Sequence, residues 1–216
     1  MNNEEKKKSN KKVLILVLLL SILTIFLGVS VAVFNYFGAG TTNNVIQTGK
    51  IIFSYSDADF GSYEGNGVNI TNATPVSDAH GKTMLGNKEY FDFNITATTT
   101  NTDIAYEIVA KKGNNSTLDE NKVKIYLTEI SGSSEVETPL TGGATIPTYD
   151  KLRNTNNSLL SGKTIYYGTV KAGEVAYRKN FRLRMWLTDE NGAVTDETNQ
   201  EKVFTVKVNV AAVGNN

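Results

Sequence analysis

A chain of 216 residues with one histidine and no cysteine is long enough for one packed domain and an appended segment. The lack of cysteine excludes disulfides, thiol catalysis, cysteine metal sites and a thioether lipid anchor. A net charge of zero hides an asymmetry: residues 1–12 carry a balance of +3, leaving −3 on the remainder, which lacks the basic footprint of a nucleic-acid binder.

The chain starts with a basic tail, residues 1–12. Val13 to Phe34 then form an uncharged run of 22 residues. As a helix this run spans roughly 33 Å, enough to cross a hydrocarbon core of about 30 Å. The preceding lysines place the C-terminal part outside the cytoplasm. A buried helix of a soluble protein is the competing reading; the flanking lysines and the abrupt switch to polar sequence favour the membrane. Two fates stay open for the segment. Its length favours a retained anchor, whereas Ser30 with Ala32, or Gly38 with Gly40, offer small-residue sites for signal cleavage. The protein is therefore expected at the cell membrane with its C-terminal domain outside, or secreted after cleavage.

Residues 35–48 read as a polar linker, and residues 49–213 as the extracytoplasmic domain. Period-two alternation dominates there. It predicts strands around Ile51–Tyr55, Phe91–Ala97, Ile104–Ala110, Val123–Leu127, Ile165–Tyr167, Phe181–Leu187 and Phe204–Val210. Loops rich in Gly, Asn and Thr separate them, and Thr148–Leu152 and Asn156–Leu160 suit short helical turns. One apolar and one polar face per strand predicts antiparallel sheets packed face to face. The fold class is all-β, an antiparallel β-sandwich to which jelly-roll connections are open.

Few residues suggest chemistry. His80, in Ser77-Asp78-Ala79-His80, has neighbours too close in sequence to build a Ser-His-Asp constellation from one loop. HExxH and GxSxG signatures are absent, so the expectation is no enzyme and no cofactor. Asp57, Asp59 and Glu64 lie in an acidic, Gly-rich stretch of the type that supplies oxygen ligands to calcium, but without the full EF-hand spacing. Arg182, Arg184 and Trp186 share one predicted face. They form either a recognition stripe or a set of cross-strand ion pairs with a tryptophan covering the sheet.

The stretch from Leu27 to Ser56 has Asn35-Tyr36-Phe37 at the exit of the apolar run. Asn44, Ile46 and Gly49 follow before Ile51 and Phe53 open the first strand. In these features it resembles the export region of the TasA/camelysin family of biofilm-matrix proteins. The resemblance implies processing by a dedicated signal peptidase, a jelly-roll-like sandwich and assembly into extracellular fibres. In fibre-forming relatives a donated N-terminal strand completes the next subunit's sheet; the corresponding donor here would lie near Asn44–Tyr55. Some relatives are described as metallopeptidases, a role for which this chain offers no zinc-ligand set. The leading expectation is thus an exported cell-surface structural or interaction protein that self-associates or binds another surface protein. The alternative is a membrane-anchored ligand- or carbohydrate-binding module.

Overall fold

A computed structural model describes residues 35–39, 44–48, 51–57, 67–71, 74–86, 89–158, 160–188 and 201–215. The Val13–Phe34 segment lies outside them, and among the described residues no helix is long and apolar enough to cross a membrane.

The described chain is built from antiparallel strands in two sheets. In chain order they are β1 (Asn35–Ala39), β2 (Asn44–Thr48), β3 (Ile51–Asp57), β4 (Gly67–Thr71), β5 (Tyr90–Thr99) and β6 (Asp103–Lys112). Then come β7 (Val123–Ser131), β8 (Ser134–Glu137), β9 (Lys163–Val170), β10 (Tyr177–Leu187) and β11 (Val203–Asn215). The first sheet runs β1-β11-β6-β9, with β4 also on β11, and the second runs β2-β3-β5-β10-β7-β8. One helical turn, α1 (Asp78–Gly81), precedes β5, and a short 3-10 turn covers Tyr149–Lys151. All seven expected strands are present. Segment 35–48, expected as a linker, supplies β1 and β2, so strand pairing begins at Asn35.

Among the described strands, only β2–β3 and β7–β8 are consecutive strands of one sheet; every other step from one described strand to the next changes sheet. The β7–β8 hairpin closes through Gly132-Ser133, with Gly132 at φ +62°, a backbone that suits glycine at the first loop position. A crossing such as β5 to β6 needs a looser connection, held here by Thr99 Oγ1 donating to the Thr102 carbonyl at 2.6 Å.

The core follows from the alternation. Phe91, Phe93 and Ile95 of β5, Ile125 and Leu127 of β7, and Phe181 and Leu183 of β10 are fully buried on one face of the second sheet. Ile104 and Ile108 of β6, with Phe204, Val208 and Val210 of β11, are buried on the first. Aromatic rings join the two layers. Phe93 stacks between Phe91 and Phe181 at 5.6 and 5.3 Å, and Tyr166 of β9 meets Phe181 edge-on at 5.0 Å. Each such ring contributes about 2–3 kcal/mol through burial. The result is a β-sandwich-like arrangement.

Candidate functional site

The expected polar outer face fails on β7 and β10. Lys124, Tyr126 and Thr128 of β7, and Arg184 and Trp186 of β10, are all buried on the side away from the inter-sheet core. Two segments cover them. The stretch 74–86, which contains α1, bonds to the end of β10 through Val76 N–H to the Leu187 carbonyl at 3.0 Å. The chain after β8 returns through Ile146, which packs with Tyr126 and Trp186.

The three residues of the expected stripe have separate fates. Arg182 makes a two-pronged pair with Asp92, its register partner on β5, at 2.7 and 2.6 Å. Its Nη1 reaches Glu135 of β8 at 2.8 Å, and its guanidinium lies over the Tyr90 ring at 4.4 Å. Arg184 is 1% exposed. It grips Glu135 through both terminal nitrogens at 2.6 and 2.9 Å, and its Nε donates to the Met84 carbonyl at 2.7 Å. Trp186 is sealed under Gly81, where an added Cβ would lie 2.3 Å from the indole ring; glycine is required there by close approach. Arg182 thus forms a cross-strand ion pair, Trp186 is buried against the sheet, and Arg184 and Trp186 present no open surface.

The electrostatics match this closure. The Arg184 guanidinium, aided by Thr128 and Arg182, holds Glu135 down to about 2 against the upward push of burial. Lys82 and the Gly143 N–H likewise lower Glu137, which also accepts from Tyr126 Oη at 3.1 Å. Lys124 is 1% exposed and donates to the Ile146 carbonyl at 2.8 Å, with the Asp78 carboxylate at 3.7 Å. Buried charges in this layer are paired, as burial demands. Trp186 Nε1 and Asn69 Oδ1 are the buried side-chain atoms left without a hydrogen bond among the described residues.

The loop around His80 is occupied structurally. Ser77 Oγ caps α1 by accepting the His80 N–H at 3.4 Å, and Asp78 accepts the Ile146 N–H at 3.2 Å. Of the calcium candidates, Asp57 ends β3, opposite Phe93, while Asp59 and Glu64 lie outside the described residues. Among the described residues no three His, Asp or Glu side chains cluster as a metal site.

The outer face of the first sheet is different, and the sequence reading missed it. Lys111 of β6 and Lys207 of β11 are direct register partners, both exposed, and neither has an ion pair or hydrogen bond to any described residue. They border a groove of about 590 Å³ on whose β11 side Thr205, Lys207 and Asn209 follow at every second position. The turn after β6 forms its end: Gly113 N–H donates to the Thr205 carbonyl at 2.8 Å, and Ser116 Oγ accepts the Thr205 N–H at 3.0 Å. Each lysine falls within an ordinary alternating strand. Only strand register reveals that the two stand opposite one another.

No protein-family model, curated protein or solved structure matches this chain.

Proposed function

We propose that the protein is an exported bacterial cell-surface structural protein that self-assembles by exchanging its N-terminal strands. One observation carries this reading: the short segment following the Val13–Phe34 run supplies an edge strand to each sheet. β1 pairs with β11 along Val213 to Asn209, sharing that edge end to end with β4, which pairs along Val203 to Lys207. β2 pairs with β3 at the edge of the other sheet.

An edge strand contributes backbone hydrogen bonds that an equivalent strand from a neighbouring copy can replace. Cleavage after Ala32 would keep β1 at a new N-terminus. Cleavage at Gly40 would remove β1 and open β11 from Asn209 onward to a neighbour's strand. The frequent sheet changes also support a jelly-roll-like reading of the connectivity, and the apolar run supports export through the membrane.

Electron microscopy of chains starting at Val33 and after Gly40 tests the proposal. Filaments should form with increasing concentration, and deleting residues 33–48 should abolish them. Monodisperse particles from both chains at high concentration would refute assembly. A second reading, a membrane-anchored carbohydrate-binding module, is favoured by the polar groove between Lys111 and Lys207.

A further inference from the structure

We infer that the groove on the outer face of the first sheet binds an acidic polysaccharide, a chain whose repeat carries both hydroxyl and anionic groups. The inference rests on the second reading above and is independent of strand exchange. It starts from a mismatch in the sheet. Lys111 and Lys207 face each other across an antiparallel ladder, where Cα atoms of opposed residues stand about 5 Å apart and like charges destabilise the pairing. Lys112, which also lines the groove, pairs with Glu120, and elsewhere Lys82 pairs with Glu137, Lys171 with Asp103 and Lys179 with Glu129. The two lysines flanking the groove have no ion pair to a described residue, and a bound anion would turn their repulsion into attraction.

The rest of the lining specifies the ligand further. Asn209 is 5% exposed and lines the groove. Thr205, Asn114 and Asn115 border the same space. Amides and hydroxyls both donate and accept, as sugar hydroxyls do, whereas an ammonium only donates and so selects anionic oxygens. The groove has the size of a small-ligand site. The described lining is polar and basic, so hydrogen bonds and charge define what the groove can hold. Together these point to a polyhydroxylated chain held by its charge. The anion could be a sugar carboxylate or a phosphodiester linking polyol units, since lysine recognises both as point charges.

The test uses the full chain in micelles of an uncharged detergent, with fluorescence anisotropy of labelled tetragalacturonate, a glycerol-phosphate tetramer and neutral maltotetraose. At least one acidic probe should bind at least tenfold more tightly than maltotetraose. Its affinity should fall at least tenfold in the double variant Lys111→Gln, Lys207→Gln, and fall with added salt. The control Lys171→Gln, just after β9 and paired with Asp103 at the far end of β6, should leave it unchanged. Both groove lysines are exposed, so the double variant should keep the fold, which a melting curve verifies. Preference between the two acidic probes identifies the source of the anion. Maltotetraose binding as tightly as the acidic probes would overturn the inference while leaving the carbohydrate-binding reading intact. If no probe binds, both fall. Equal affinity in the double variant and the parent would also overturn the inference.

Discussion

The two outer faces of the sandwich handle positive charge in opposite ways. On the second sheet, Arg184 and Lys124 are drawn beneath covering segments and Arg182 is half-buried, and each finds carboxylate or carbonyl partners. On the first sheet, Lys111 and Lys207 stand opposed and exposed, with no ion pair to a described residue. Both arrangements arise from alternating strands with basic residues on the outward side. The difference lies in what folds over them. Segment 74–86 and the return past Ile146 close the first arrangement. Over the first sheet, Leu160 packs with Val109 and Ala211, while the side chains of Lys111 and Lys207 stay exposed. A closed charged face is a structural element, whereas an open one is available for binding.

Breaking the closed face should cost most. Glu135→Ala leaves Arg184 buried without its carboxylate, and should lower stability by about 3 kcal/mol, read from the urea midpoint. The same contact has a pH signature. Glu135 is held at about 2 when folded, against an ordinary value of 4.5. Its contribution is therefore complete above about pH 4.5 and is lost as pH falls towards 2. With its side chain 27% exposed, solvent screening trims that contribution to about 2 kcal/mol. Glu135→Gln should flatten the acid limb of a stability-versus-pH curve in that window; an unchanged limb would show that other carboxylates dominate it.

Gly81→Val tests the lid itself. The added side chain collides with the Trp186 ring, and overpacking of this type costs about 1–3 kcal/mol. Tryptophan emission should shift to longer wavelength as the indole becomes wetter. On the open face the sign reverses. Lys207→Glu replaces a like-charge pair with an ion pair to Lys111 and should stabilise by about 0.2–1 kcal/mol, an effect that shrinks with salt. Destabilisation there would mean that Lys207 has a structural partner and that the contrast between the faces is false.

Much of the fold was legible because burial imposes a period of two on strands. Phe91, Phe93 and Ile95, or Phe204, Val206 and Val208, announce their strands without help from the rest of the chain. The strands that escaped notice have weaker patterns. β8 is Ser-Glu-Val-Glu with every residue exposed, so no apolar rhythm marks it. β1, β2 and β4 are five residues each, and Asn and Gly in them read as linker or loop. Their strand character comes from backbone hydrogen bonds to β11 and β3, which side-chain patterning does not encode.

By itself, then, the sequence determined the strand alternation and the apolar run that precedes it, since both depend on neighbours along the chain. The two alternatives for Arg182, Arg184 and Trp186 could not be separated that way. Whether Arg184 meets water or Glu135 depends on a hairpin that brings β8 alongside β7, and whether Trp186 is covered depends on Gly81, more than a hundred positions earlier. The Lys111–Lys207 pair likewise exists only through the register of β6 on β11. Tertiary structure decided these outcomes because the energy of a charged side chain is set by what surrounds it in space.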